Sequence, residues 1–429
     1  MTTARDLAYG ALIQTERGGA YADAVLGREL ERCDLEGPDR GLATLLVYGT
    51  LARRLTLDHT ISRYSRRDPA DIDLEALVLL RMGLFQLAFL DRVPAYAAVD
   101  TTVRLARRHA RGASGFVNAV LRRVTREGMA PIDSPDPLER AAVELSHPVW
   151  LVKMWRDELG ADTAEALMAA NNEPMPTVLR ALGDRDAVAR ELGDRGVQSR
   201  PATLAPQGLV VSAPTHVGGL GLAQGEASQL AVLMTGAAPG ESVLDACAAP
   251  GGKTAYLAAL VGESGTITAV DPGRNAARRI RATTDAAGVG NVEIVECAIE
   301  DFESRAAFDL VVADAPCSGL GTLRQHPEIR WRRQPSDLAN LATRQRSILA
   351  AAAGHVRPGG RLLYSTCTVA SAENDDIVDS FLTDTPGFEE DRSQKLGPAQ
   401  GIGADGRLRT FPHEHGTDGF FAALLRRRD

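Results

Sequence analysis

The sequence predicts a multi-domain chain. An all-α bundle spans residues 1–130, a small α/β middle domain 140–225, and a C-terminal α/β domain 226–429 is built on a Rossmann-like, mostly parallel sheet. Three observations predict this. Apolar residues recur at intervals of three and four from Thr3 to about Glu127, the period of helices with one buried face. The stretch Met129–Leu138 is rich in proline and aspartate and reads as a boundary. From Gly240 onward, short apolar runs alternate with helical patterns, which is how a parallel sheet covered by helices on both faces reads.

The N-terminal elements follow in order. Leu7, Ala11 and Leu12 mark one helix, and Leu42, Leu45, Leu46, Gly49 and Leu51 another. Leu74–Leu90 is too apolar for a surface helix and predicts the central helix of the bundle. Its length and the interrupting Arg81 argue against a membrane span. Asp91–Pro94 ends it, and Ala95–Arg108 reads as the next helix. Gly112–Glu127 places Phe116, Val117, Val120, Leu121 and Val124 on one face and Arg122, Arg123 and Arg126 on another, a basic face open to RNA or simply to solvent. The middle region says least, with Arg180 in a VLRAL strand.

The net charge of −8 is unevenly spread: residues 1–130 carry 19 Arg against 16 acidic residues, a net of +3, and the remainder carries −11. No run of eighteen apolar residues occurs and Met1–Tyr21 does not read as a signal peptide, so a soluble cytoplasmic protein is expected, with no membrane partner. The five cysteines (Cys33, Cys247, Cys297, Cys317, Cys367) form no CxxC pair, which fits free thiols in a reducing compartment. No metal is expected. His413 and His415 lack a third spaced ligand and read as a polar loop.

In the C-terminal domain the first strand ends on Ala246-Cys247-Ala248-Ala249-Pro250-Gly251-Gly252-Lys253-Thr254. The Gly-Gly-Lys-Thr end looks like a phosphate-binding loop, but Cys247 stands where that motif needs its first glycine. The alternative is a Rossmann-like turn whose small residues admit a ligand to the backbone, with Asp271 at the end of the second strand for ribose hydroxyls. Two thiols also end strands. Asp314-Ala315-Pro316-Cys317 follows the run Asp309–Ala313, and Arg361–Thr368 carries a buried strand, entered by a Gly359-Gly360 turn, out to Cys367. Taken alone, Cys367 reads as an inert core thiol rather than a nucleophile, since cysteine is among the most frequently buried residues, and only the other motifs reverse that reading. His326–Trp331 reads as a substrate-facing loop in which Arg324, Arg330, Arg332 and Arg333 meet phosphates and Trp331 stacks or packs.

These motifs carry two resemblances. Tyr48–Leu51, the RMGLFQLAFL run, Val93-Pro94 with Ala98-Val99, and Gly115–Arg122 resemble the NusB antitermination fold, which implies an RNA-binding helical domain. DACAAPGGKT, DAPCSGLGT and YSTCT, in this order, resemble the RNA 5-methylcytosine methyltransferases, and the NusB-like addition most resembles the bacterial 16S rRNA branch (Sun/Fmu). The resemblance implies S-adenosyl-L-methionine as cofactor, 16S rRNA as partner and a seven-stranded sheet closed by an antiparallel edge strand, Asp418–Arg427. It implies a substrate-binding or linking middle domain, and a monomer is expected. It places the cofactor on Cys247, Ala248, Ala249, Pro250, Gly251, Gly252, Lys253 and Asp271, with Asp314 as a further site acid; Asp314 is read as the acid that contacts the cytosine, and holding the cofactor or capping a turn fits it equally. It makes Cys367 the nucleophile and Cys317 the group that aids product release. DNA cytosine methyltransferases use the Pro-Cys cysteine instead, so the residues alone do not choose between the thiols. Where the family commonly has an acid at the end of the third strand this chain has Ala298, with Glu300 and Asp301 nearby. A tRNA substrate, or a noncatalytic RNA-binding role, also fits the sequence.

Overall fold

A computed structural model describes residues 3–212, 218–393, 396, 403 and 405–429. The chain forms two compact units: Met1–Pro174 with Leu323–Arg333, and Met175–Thr322 with Gln334–Asp429.

The first unit is helical. Its core gathers apolar faces from Ala4–Gly18, Ala22–Glu31, Gly37–Ala52, Arg54–Ser65, Leu74–Phe89, Ala95–His109 and Ser114–Glu127. Leu74–Phe89 is central, with every residue from Ala76 to Gln86 buried. Arg81 lies inside that run and is tolerated because Asp58 accepts two 2.7 Å hydrogen bonds from it and Glu16 a third at 3.1 Å. Gly49, in the Tyr48–Leu51 motif, lets its helix close on Phe85: a Cβ there would lie 1.9 Å from Phe85 Cζ. Helices Pro137–Leu145, Val149–Leu159 and Ala161–Ala170 belong to the same unit.

Segment Leu323–Arg333 also belongs here, and the expectation that its arginines hold phosphates is overturned for Arg324, Arg330 and Arg332. Arg330 is fully buried; it donates to Ser146 O at 3.1 Å, Asn171 O at 3.1 Å and Asn172 Oδ1 at 2.7 Å. Burial pulls its pKa down to about 9. Arg332 donates to the carbonyls of Thr15, Gly19 and Ala20 at 3.0, 2.8 and 2.7 Å, and Trp331 Nε1 to Leu51 O at 2.8 Å. Arg324 donates to Pro174 O at 2.8 Å. The physical reason is that helix C-termini leave carbonyls without intrahelical donors, and guanidinium groups supply them. Glu328 does the converse, accepting from Ala22 N at 2.9 Å at a helix N-terminus.

The second unit holds two sheets. The smaller is antiparallel, in the order β2 (Ser199–Pro201), β3 (Gly208–Val211), β1 (Thr177–Ala181), β4 (Gly221–Ala223), with Arg185–Asp194 packed on it through Leu179, Val188, Leu192 and Leu209. The larger runs β10 (Phe388–Glu390), β12 (Phe420–Arg427), β9 (Val356–Thr366), β8 (Phe308–Asp314), β5 (Ser242–Asp245), β6 (Thr266–Val270), β7 (Val292–Val295), and β11 (Leu408–Thr410) also pairs with β12. Strands β9, β8, β5, β6 and β7 are parallel; β12 is antiparallel to its neighbours. Alternation decides which side each residue serves. Val311, Ala313, Leu362 and Tyr364 join the core under helices Pro335–Gly354 and Asp375–Asp384, while Leu310, Val312 and Leu363 join the one under Glu226–Met234 and Gly252–Val261. With both faces covered, these strands are continuously apolar rather than alternating.

Two expectations are corrected. Gly359-Gly360 is not a turn before the strand but an irregularity within β9, where the β8 register shifts between Phe308 and Leu310 and Gly359 takes φ +69°. Strand β12 is not the edge, because β10 pairs on its far side. Among the described residues no helix is long and apolar enough to cross a membrane.

Candidate functional site

Strand β5 has β6 on one side and β8 on the other, and the chain visits them in opposite directions. Such a reversal opens a crevice at the carboxyl ends of the strands, where ligands bind. The residues singled out from sequence all lie at that edge of adjacent strands: Cys247–Lys253 after β5, Asp271 after β6, Asp314 at the end of β8, Cys367 after β9.

On the β5–β6 side, the loop turns through a cis Ala249–Pro250 bond and Gly251 at φ +106° into helix Gly252–Val261. Gly251 is required on two counts, since a Cβ there would also meet Ile280 Cα at 3.0 Å. Asp271 is oriented by the loop it serves: its Oδ2 accepts from Ala249 N at 3.0 Å and its Oδ1 from Gly273 N at 2.8 Å. Each oxygen keeps a lone pair for a further donor. Behind the loop, Asp245 accepts from Thr254 Oγ1 at 2.7 Å. Burial raises the Asp245 pKa to about 6 against that bond, helped by the charge of Asp314. Burial also pushes the Cys247 thiol up, with Asp245, Asp314, Asp271 and Glu300 adding to it, so this cysteine is a small apolar wall rather than a nucleophile. Ala298 precedes the turn Ile299–Asp301, and Glu300 accepts from Ser347 Oγ at 3.2 Å.

On the β8–β9 side the two thiols meet. Cys317 Sγ and Cys367 Sγ lie 3.3 Å apart although 50 residues separate them. The loops carrying them are laced by Gly321 N to Cys367 O at 3.1 Å and Ser318 Oγ to Thr368 Oγ1 at 2.8 Å. Glu373, fully buried, accepts from Ser318 N at 2.8 Å and from Gln345 Nε2 at 2.9 Å. The Cys317 pKa is raised well above that of an ordinary thiol, first by its hydrogen bond with Cys367, then by burial and the charge of Glu373. Asp314 accepts from Lys253 Nζ at 2.6 Å and from Ser365 Oγ at 2.8 Å. Burial works to lower the Lys253 pKa, but Asp314, and behind it Cys367 and Asp245, outweigh burial and raise it. The ammonium therefore bridges the glycine-turn side and the thiol side.

The structure thus brings Asp314, Cys317, Cys367 and Lys253 together and puts Asp271 and the glycine turn beside them. Sequence reasoning took Lys253 only as part of the cofactor loop and missed Ser365, Glu373 and Gln345. In sequence Glu373 opens the polar run Glu373-Asn374-Asp375-Asp376, which carries no sign of which member is buried. His415 Nδ1 accepts from Phe411 N at 3.1 Å, closing a short turn.

A doubly covered parallel sheet with an antiparallel strand inserted beside β9, and a small-residue loop and a strand-end carboxylate at its switch point, is the arrangement of the α/β methyltransferase class. Comparison with known proteins narrows this. The 16S rRNA methyltransferase RsmB/F family matches residues 232–426, the NusB family residues 2–126, and the RsmF/B-like ferredoxin-like domain residues 147–218. A Bacillus subtilis (strain 168) protein named "Probable ribosomal RNA small subunit methyltransferase B" is 36% identical, covering 100% of this chain and 99% of its own length. "Ribosomal RNA small subunit methyltransferase B" of Thermus thermophilus is 35% identical over 99% of this chain and 98% of its own. The crystal structure of PH0851 superposes with a TM-score of 0.83 at 25% identity, covering 98% of each chain. The chain belongs to the RsmB/F family of 16S rRNA methyltransferases, in a form with a NusB domain at its N-terminal side.

Proposed function

We propose that this chain transfers the methyl group of S-adenosyl-L-methionine to C5 of a cytosine in 16S rRNA, with Cys367 Sγ bonded to C6 of the ring during transfer. The observation that carries this reading is the thiol pair, 3.3 Å apart and beside a buried ammonium. Asp271 and the turn Ala248–Gly252 would hold the cofactor: the carboxylate retains acceptor capacity for ribose hydroxyls, and the loop opens on a helix N-terminus. When bound, the cofactor supplies an electrophilic methyl group.

Cytosine C5 is a poor nucleophile until a thiolate adds at C6. Cys317 keeps its proton, because its hydrogen bond with Cys367 and its burial both oppose ionisation, which leaves Cys367 as the sulfur free to attack. Lys253 supplies positive charge beside Cys367 while neutralising Asp314. Asp314, held by Lys253 and Ser365, presents an acceptor suited to the exocyclic amine of cytosine. After transfer the C5 proton must leave and the bond between C6 and sulfur must break. Cys317, adjacent to that bond, is assigned to release. The target base must be splayed from its stack to reach the crevice, and the helical unit is the RNA-holding part of the chain.

Incubation with 16S rRNA and cofactor tests the roles. Cys317→Ala should accumulate a covalent protein–RNA adduct on a denaturing gel and Cys367→Ala should form none; the reverse pattern exchanges the roles. Bisulfite sequencing of a deletion strain tests the substrate. A 5-methylcytosine missing from 16S rRNA is expected, one missing only from tRNA moves the substrate, and none missing anywhere defeats the enzyme reading.

A further inference from the structure

The thiol pair has a chemistry of its own. Among the described residues Cys317 and Cys367 are the only two cysteines in contact with each other, and both are partly accessible to solvent. The lacing at Gly321–Cys367 and Ser318–Thr368 holds the two loops in register on either side of the sulfurs. Closing 3.3 Å to a disulfide of about 2.05 Å requires a sulfur displacement of about 1.2 Å.

We propose that Cys317 and Cys367 form an oxidative modification site that takes a hydroperoxide as oxidant and closes to an intramolecular disulfide. In the first step the Cys367 thiolate attacks one peroxide oxygen, the O–O bond breaks, and the leaving hydroxide or alkoxide takes a proton, giving Cys367 sulfenic acid and water or an alcohol. In the second step the Cys317 sulfur attacks the sulfenic sulfur, the S–O bond breaks, and hydroxide leaves with the Cys317 proton as water. The two thiols lose two electrons and two protons, and one hydroperoxide is reduced.

The order follows from the neighbours. The hydrogen bond with Cys367 and burial hold the Cys317 thiol protonated until the sulfenic acid forms, which leaves the first attack to Cys367. Cys247 is excluded because burial and four carboxylates oppose its ionisation. The bridge would also protect Cys367 from irreversible oxidation, since a sulfenic acid captured by an adjacent thiol does not proceed to sulfinic acid. The consequence for activity rests on the function proposed above: nucleophile and release group are withdrawn together, and methyl transfer stops until a dithiol reductant restores both thiols.

The test uses the full-length chain and hydrogen peroxide. After alkylation of remaining thiols, peptide mapping without reductant should show a Cys317–Cys367 cross-linked pair that disappears with dithiothreitol. Methyl transfer to 16S rRNA should be lost in proportion to the bridged fraction and return on reduction. In Cys317→Ser the same treatment should leave Cys367 as sulfinic acid that dithiothreitol does not reverse. Absence of the cross-linked pair, or a bridge from Cys367 to another cysteine, overturns the inference. A bridged protein that still transfers methyl groups leaves the disulfide standing and overturns the roles given to the thiols, so the two readings fail separately.

Discussion

Replacing Lys253 by methionine should expose how much of the chemistry rests on one ion pair. The ammonium and Asp314 are 2.6 Å apart with side chains 12% and 30% exposed. At an effective dielectric near 20 the gross attraction is about 6 kcal/mol. Desolvation of the ammonium and solvent screening at Asp314 leave a net coupling of about 2–3 kcal/mol. If that coupling is expressed in the transition state, Lys253→Met should slow single-turnover methyl transfer about 30- to 150-fold. Asp314→Asn should slow it by a similar or larger factor. Because the two residues act as a unit, the double variant should be no slower than the slower single one. Single-turnover transfer of a labelled methyl group to 16S rRNA, at saturating cofactor, measures all three. If the penalties of the single variants multiply in the double variant, the pair is not coupled and the bridging role of Lys253 is wrong.

Other expectations follow from burial. Asp245 holds its proton up to about pH 6 when folded against an ordinary value of 3.8, so the folded state binds the extra proton between these values and stability there falls as pH rises. Hydrogen exchange of the β5 amides should show that decline, about 2–3 kcal/mol in all, and Asp245→Asn should abolish it; an unchanged slope in the variant would assign it elsewhere. Arg81→Met should destabilise the helical unit by about 3–5 kcal/mol, because Asp58 and Glu16 lose their buried cation, and urea titration of its helical signal reads this directly. Gly49→Ala should cost about 1–3 kcal/mol through its clash with Phe85, and a variant as stable as the parent would contradict the close helix approach.

What was legible in the sequence was whatever a strand or helix period encodes. Leu74–Phe89 and the alternation from Gly240 were readable because burial of whole faces imposes a pattern on many residues at once. Cys247–Lys253, Asp271, Asp314 and Cys367 were readable as strand-end residues, and strand ends in such a sheet converge. Pairings across the fold were not. Arg330 and Arg332 look the same in sequence whether they meet phosphates or helix-end carbonyls, since charge is local and the carbonyls of Thr15, Ala20 and Ser146 lie far along the chain. The bond from Lys253 to Asp314 spans 61 residues. Gly359-Gly360 misled for another reason: paired glycines commonly mark turns, but here the partner strand shifts register and the same backbone freedom makes an irregularity inside β9.

The path of segment Leu323–Arg333 bears on how such a chain can be shortened. The backbone passes from one compact unit to the other at Pro174–Met175, again at Thr322–Leu323, and back at Arg333–Gln334. Cutting after Pro174 therefore does not yield a self-contained catalytic half. The half retains eleven residues whose Ile329 and Arg330 were buried among the discarded helices. Arg330 would lose its acceptors at Ser146, Asn171 and Asn172, and Trp331 its acceptor at Leu51. An ancestor or an engineered fragment lacking the helical unit must replace this segment as well as drop the N-terminal one, so the helical unit is stitched into the catalytic chain rather than appended to it.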